Sequence, residues 1–364
     1  MSRHVFFTGF PGFIGRQLIG RLSRAEPEAS FTFLIQDQVR PVAERSIAAI
    51  EAESEGFAER AKLVSGDITL PWLGMGEDVY RQEADRTTDV WHLAAVYDLS
   101  VPEPTAYRVN VVGTANILDL CEEAPNLSRL DYVSTCYVSG ARTGLVRESE
   151  LDEGQTFKNH YESTKAWAEM EVQRRMHRLP VCVHRPGIVV GDSHSGETDK
   201  YDGPYFIINL LLRLPKWLPM INIGEGGSRV NLVPVDFLCD GMASVWNNSD
   251  SLGHTIQWAD PNPYAAKEIV DKLLQILGRR RAIGMVPSDA VERALGAERV
   301  REIAHVPKES VIYFNHDVIY DTENQHRFLE GTGLRCPDFL SYLPTLVEYV
   351  KEHPDKEFLD GRKV

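Results

Sequence analysis

The sequence predicts an α/β fold in which a doubly wound parallel sheet is followed by a smaller C-terminal lobe. Three observations carry this: short apolar runs alternate with amphipathic stretches through the first half, glycines recur at threes between the first strand and first helix, and the rhythm breaks near Pro186. Strands are expected at Val5–Thr8, Phe31–Ile35, Leu63–Ser65, Val90–Ala94, Asp131–Ser134 and Val181–His184. Each is too short and too uniformly apolar for a half-exposed strand, so the sheet should be covered on both faces. Helical periodicity fills the gaps at Phe13–Arg24, Val42–Ala52, Asp78–Glu83, Thr105–Glu123 and Tyr161–Arg178. Strands separated by helices need crossover connections, hence parallel pairing. After Pro186 come Gly-, Pro- and Asp-rich turns, an apolar helix near Ile207–Leu214, a Gly224-Glu225-Gly226-Gly227 turn before Val230–Val233, and helical patterns at Ala265–Leu277, Asp289–Leu295 and Phe339–Lys351. The expected division gives residues 1–187 to the sheet domain, with about 229–260 returning to it, and 188–364 mainly to the second lobe.

Composition narrows the class. A chain of 364 residues corresponds to roughly two domains. Its 39 basic and 53 acidic residues leave a net charge of −14, which argues against sequence-independent nucleic-acid binding. The five cysteines form no C-x-x-C pair, so neither a disulfide framework nor a zinc knuckle is indicated and a reducing, cytoplasmic setting fits best. The N-terminus reads as a first strand rather than a signal peptide. The most apolar stretch, Tyr205–Ile223, contains Arg213, Pro215, Lys216 and Pro219, so no membrane span is expected. Oligomeric state is left open.

Chemistry concentrates at two places. In Gly9-Phe10-Pro11-Gly12-Phe13-Ile14-Gly15 the glycines permit a tight turn and close approach of a pyrophosphate to backbone N–H groups, beside the positive end of a helix. That makes the first unit a Rossmann-type dinucleotide site lined by Gly9, Gly12, Phe13, Ile14 and Gly15. Tyr161 and Lys165, four residues apart at the start of a helix, share one face. A phenol can exchange a proton near neutrality if an ammonium stabilises its phenolate, and Lys165 supplies that charge and a ligand for a nicotinamide ribose. Hydroxyls in Ser134-Thr135-Cys136-Tyr137-Val138-Ser139-Gly140 end the fifth strand upstream.

With these motifs the chain, over at least residues 4–240, resembles an extended short-chain dehydrogenase/reductase. The resemblance implies a cofactor passage at Ala94 and Ala95 in Trp91-His92-Leu93-Ala94-Ala95 and an adenine contact at Asp67 and Ile68. It implies a nicotinamide contact at Pro186, Gly187 and Ile188, and a helix asparagine, Asn110, that holds the lysine and a relay water. It puts Thr135 at the catalytic Ser/Thr position, with Ser134 the second choice. The block from Val133 through Glu169 looks most like the fatty acyl-CoA and carrier-protein thioester reductase branch. That branch usually carries an arginine after the second strand for the NADP 2′-phosphate, where this chain has Gln36 and then Asp37. Arg40 is the substitute cation, and NADP(H) is favoured over NAD(H).

The reading is a nicotinamide-dependent oxidoreductase in which Tyr161 exchanges the proton, Thr135 bonds the reacting oxygen and Lys165 holds the ribose. Its substrate would carry an apolar portion beside Phe206, Ile207, Ile208, Leu210, Leu211 and Leu212, in an acyl-CoA or an acyl carrier protein thioester. Alternatives are a ketone or hydroxysteroid dehydrogenase, a nucleotide-sugar epimerase or dehydratase, and a non-catalytic dinucleotide sensor. His92 reads as a core residue, and His184 and His194 show no ligand partner, so no metal is expected. Arg279-Arg280-Arg281 reads as a solvated cap at a helix end, with docking of an acidic partner as the alternative.

Overall fold

The computed structural model describes residues 2–98, 100–218, 226–280 and 317–354, with the backbone alone at 222–223 and 285–286. Strands β1 (His4–Thr8), β2 (Ser30–Ile35), β3 (Ala61–Ser65), β4 (Asp89–His92), β5 (Arg129–Val133), β6 (Val181–Pro186) and β7 (Thr255–Trp258) form one sheet. Their order is β7-β6-β5-β4-β1-β2-β3 and every pairing is parallel. The order reverses between β1 and β4, which opens a crevice at the carboxyl ends of those strands. Strand β1 shows why the pattern is apolar throughout: Val5 and Phe7 enter one core while Phe6 enters the other, and all three are fully buried.

Helices α1 (Phe13–Ala25), α2 (Arg40–Glu53) and α7 (Val235–Trp246) cover the first face. Helices α3 (Glu77–Arg86), α4 (Gly113–Glu123) and α5 (His160–Arg175) cover the second. A third core joins α6 (Pro204–Arg213), α8 (Ala266–Ile276) and α10 (Phe339–Glu352) through Tyr205, Ile208, Leu211, Leu273, Leu343 and Leu346. Helix α9 (Glu323–Leu329) sends Phe328 and Leu329 back to the first core. Three parallel strand pairs, Ile188–Val190 with Leu232–Pro234, Asn222–Ile223 with Met285–Val286, and Gly144–Val146 with Val318–Tyr320, bind the later chain to the earlier. Among the described residues no helix is long and apolar enough to cross a membrane.

Several expected elements change in detail. The helix expected over Thr105–Glu123 is three pieces: a turn at Glu103–Ala106, a π-helical stretch at Tyr107–Val112, and α4. Strand β4 stops at His92 rather than Ala94 because its partner β1 ends at Thr8, directly opposite. Arg279 does act as a cap, but on another helix: Gly278, with φ +62°, turns the chain out of α8, and the guanidinium then donates to the carbonyls of Leu211, Leu214 and Pro215 at the end of α6. Arg281, Gly224, Glu225 and the helix expected at Asp289–Leu295 lie outside the described residues.

Candidate active site

The glycine turn is built for a close neighbour. Gly9 has φ +91°, and a Cβ there would lie 2.8 Å from the Ala94 nitrogen; a Cβ on Gly12 or Gly15 would meet the Gly9 carbonyl oxygen at 2.9 or 2.7 Å. Helix α1 starts at Gly12 without a side-chain cap and without an acidic residue in its first turn. Its N–H groups and positive end are therefore left for an anion, which fits a dinucleotide pyrophosphate. Phe13 and Ile14 are half-buried against the first core, while Gly12 is exposed. Arg16, in the same turn, pairs with Asp199, so the loop before α6 reaches the glycine turn.

Thr135 and Tyr161 meet at the carboxyl end of β5. Asn159 caps α5 by accepting the Glu162 N–H at 2.9 Å, which places Tyr161 in the first helical turn with its face toward the strand ends. The Tyr161 phenol lies beside the Thr135 hydroxyl. Burial and the Glu162 charge push its pKa up, while the Thr135 hydroxyl pulls it down. Thr135 also accepts from the Tyr137 N–H at 3.2 Å and faces the Pro186 carbonyl at 3.5 Å. Ser134 points elsewhere: its hydroxyl donates to Glu169, a buried carboxylate that also takes the Arg185 guanidinium at 2.6 Å. Successive residues of an extended chain face opposite ways, so Thr135 and not Ser134 reaches Tyr161.

Lys165 lies one turn further along α5 and is 3% exposed. Its ammonium donates to the Tyr132 hydroxyl at 2.9 Å and to the Val133 carbonyl at 2.8 Å. Burial lowers its pKa to about 7, against the opposing pull of Glu169. Asn110 sits in the π-helical stretch, a distortion common at functional positions. Its side chain accepts from the Val96 N–H at 2.9 Å and donates to Thr164 at 3.0 Å, so its amide meets Lys165 only through the neighbouring residue.

The remaining expected cofactor residues follow the carboxyl ends of the sheet strands. The Ala94 N–H donates to the Thr8 hydroxyl at 3.3 Å, and Ala95 is exposed beyond it. Gly187 has no room for a side chain for another reason: a Cβ would lie 2.8 Å from Oδ1 of Asn231, the residue before the strand that pairs with the one holding Ile188. Ile68 packs on Gly113 at the start of α4, and Asp67 accepts from the Thr69 N–H at 2.8 Å. Gln36 donates to Asp67 at 3.4 Å, and Arg40 donates to Ser65 at 2.7 Å and faces Asp37 at 3.7 Å. The ends of β2 and β3 thus carry one cation between two carboxylates.

His92 is a satisfied core residue bonded to Thr8 at 2.7 Å and Thr114 at 3.0 Å, and burial lowers its pKa to about 3. His184, expected to lack a metal-ligand partner, has two hydrogen-bond partners. It bonds Asp131 at 2.9 Å and accepts the Trp258 indole N–H at 3.0 Å. Ligand atoms of Asp131, Cys182 and His184 lie within 4.8 Å of one another, but Arg129 already occupies Asp131 with two bonds, so the cluster is a buried ion-pair network of the core. Tyr132 and Glu169, the side chains acting on Lys165, have no chemical motif to announce them. The signal that existed was parity along β5 for Tyr132 and a four-residue helical offset from Lys165 for Glu169.

Comparison with known proteins places this geometry. The family model described as male sterility protein matches residues 7–242. Fatty acyl-CoA reductase wat of Drosophila melanogaster is 27% identical over 281 residues, covering 68% of this chain and 54% of that protein. Glycine betaine reductase ATRR of Emericella nidulans is 27% identical over 288 residues, covering 75% of this chain and 22% of that protein. The chain therefore spans about half the length of the first relative and about a fifth of the second. The crystal structure of the terminal R domain from the myxalamid PKS-NRPS biosynthetic pathway superposes with a TM-score of 0.80 at 24% identity, covering 97% of this chain and 91% of that one.

Proposed function

The chain belongs to the male sterility protein family, within the extended short-chain dehydrogenases/reductases, and from that premise we propose that it is an NAD(P)-dependent reductase of acyl thioesters. The observation that carries the reading is the Thr135 hydroxyl beside the Tyr161 phenol, with the buried Lys165 ammonium one turn away. The dinucleotide supplies the hydride when bound at the glycine turn. Thr135 orients the substrate carbonyl by donating to its oxygen, and Tyr161 gives that oxygen its proton. Lys165 holds the nicotinamide ribose and, by its charge, makes the phenol a better acid. The products balance as aldehyde plus free thiol from thioester, reduced dinucleotide and one proton.

NADP(H) is the favoured cofactor in this proposal. Arg40 and Ser65 stand together at the ends of β2 and β3 and would take the 2′-phosphate once Arg40 leaves Asp37, whose side chain is 78% exposed and gives a weak, screened pair. The substrate is an acyl-CoA or a carrier-protein thioester, matching the fatty acyl-CoA reductase among the relatives. Helix α6 turns Tyr205, Ile208 and Leu211 into the third core and leaves Phe206 and Leu210 half-buried, the surface offered to an acyl chain.

The test is turnover of the purified protein with NADPH or NADH against acyl thioesters, ketones, secondary alcohols and nucleotide sugars, followed by nicotinamide absorbance. Net oxidation of NADPH with thiol release from the thioesters is expected. Conversion of a nucleotide sugar with no net oxidation of dinucleotide would replace this reading with an epimerase.

A further inference from the structure

The loop before α6 reaches the sheet domain at two successive residues. Asp199 pairs with Arg16 in the first turn of α1, and the Lys200 ammonium lies over the Tyr97 ring, 5.0 Å from its centroid. Tyr97 in turn meets the Tyr161 ring edge to face, with centroids 5.1 Å apart and planes at 89°. Its backbone is fixed from the residue before it, since the Val96 N–H donates to the Asn110 side chain at 2.9 Å. What sets Tyr97 apart is exposure. Tyr161 is 8% exposed, and Thr135, Glu162 and Lys165 beside it are 5% exposed or less, whereas Tyr97 is 45% exposed. The phenol is therefore open to solvent on the side where Tyr97 stands, and a substrate carbonyl approaches it along that ring.

We propose that Tyr97 is a specificity-determining residue, an aromatic wall beside the reacting carbonyl that admits an unbranched neighbouring carbon and turns away a branched one. Lys200 is the positioning residue that holds the wall. The proposal rests on the reductase reading above and deepens it by naming the acyl class, a linear chain with a methylene next to the thioester. A carbonyl oxygen bound between Thr135 and Tyr161 leaves the next carbon close to the phenol, where the Tyr97 ring already takes up space. A methylene lies flat along an aromatic ring. An added methyl has to displace it, and a ring held between Tyr161 and the Lys200 ammonium moves only by losing both contacts. Lys200 stands four residues before Pro204, where α6 begins, so a short segment joins the wall to the helix that offers Phe206 and Leu210.

The test compares hexanoyl-CoA with 2-methylhexanoyl-CoA at saturating NADPH. Wild-type kcat/KM should favour the linear thioester by about a hundredfold, the discrimination one misplaced methyl produces in a fitted site. Tyr97→Ala should bring that ratio below about tenfold by admitting the branched substrate, while Tyr97→Phe, which keeps the ring, should keep the ratio. Lys200→Met should lower it partway and Lys200→Arg should restore it, because a guanidinium also binds an aromatic face. A second measurement needs no turnover. Acetylation of tyrosine hydroxyls by N-acetylimidazole, read by peptide mass spectrometry, should reach Tyr97 in the wild type and should reach Tyr161 several-fold faster in Tyr97→Ala than in wild type or Tyr97→Phe. An unchanged Tyr161 rate in folded Tyr97→Ala overturns the proposal, and so does an unchanged linear-to-branched ratio where thioesters are reduced. A Tyr161 rate that rises in a protein that reduces no thioester supports Tyr97 as the cover of the phenol and overturns the reductase reading alone.

Discussion

Lys165→Met should make the protein more stable while abolishing its activity. Burial takes the Lys165 pKa from 10.5 to about 7, so the unfolded chain holds this proton more firmly than the folded one across that window. Folding near pH 7 therefore costs about 4 kcal/mol at this one side chain, a penalty that fades as pH rises toward 10.5 and is constant below about 7. Methionine fills the same volume and pays none of it. The loss on the other side is the Lys165 bonds to Tyr132 and to the Val133 carbonyl, about 2 kcal/mol together. The variant should thus gain about 2 kcal/mol at neutral pH by these sums. The cleaner reading is the slope. Wild-type stability should rise relative to the variant by about 1.4 kcal/mol for each pH unit between about 7.5 and 9, measured by urea unfolding of both proteins at matched pH. All other titrating groups cancel in that difference. A pH-independent difference would show that Lys165 carries no burial penalty and would undo the account of it as a strained, functional charge.

Tyr161→Phe should bind dinucleotide as the wild type does and lose about 10²–10⁴ in kcat, since it removes the transferable proton and keeps the ring; wild-type turnover would reassign the proton donor. Thr135→Val should lower kcat by about 10²–10³, whereas Ser134→Ala should leave kcat within a few-fold and lower unfolding free energy by about 1–2 kcal/mol through the lost Glu169 bond. Equal effects of the two on kcat would contradict the facing of β5. Arg40→Ala should weaken NADPH more than NADH, and Gln36→Arg should do the reverse; ratios unmoved by either, in binding titrations, would place 2′-phosphate recognition elsewhere. Along a homologous acyl series, kcat/KM should improve roughly tenfold for each two carbons added until the pocket is filled. A flat profile would mean that α6 is only core.

The glycine turn and the Tyr161-to-Lys165 spacing were legible because their chemistry is local. Gly9 needs a positive φ, and a four-residue offset on a helix fixes a shared face without reference to the rest of the chain. The six strands expected in the first half appear for the same kind of reason, since a central parallel strand such as Phe31–Ile35 must be apolar on both sides. Position 135 was reachable from sequence only through the family resemblance, with Ser134 left in contention.

What decided between those two hydroxyls was Glu169 and Arg185, which meet under Ser134 from a helix and a strand that are neighbours only in the folded sheet. The same holds for Arg279 capping α6 from beyond α8, and for His184, whose partners Asp131 and Trp258 lie 53 and 74 positions away. Composition and periodicity determine which faces are apolar and so which elements form. They say nothing about which polar atoms will share a buried space. That is set by strand order, and every buried donor and acceptor must then be satisfied by whatever residue the crossover connections bring beside it. Tyr132 is the sharpest case: in sequence it is an ordinary strand tyrosine, and only the packing of α5 across β5 turns its hydroxyl into the acceptor that holds Lys165.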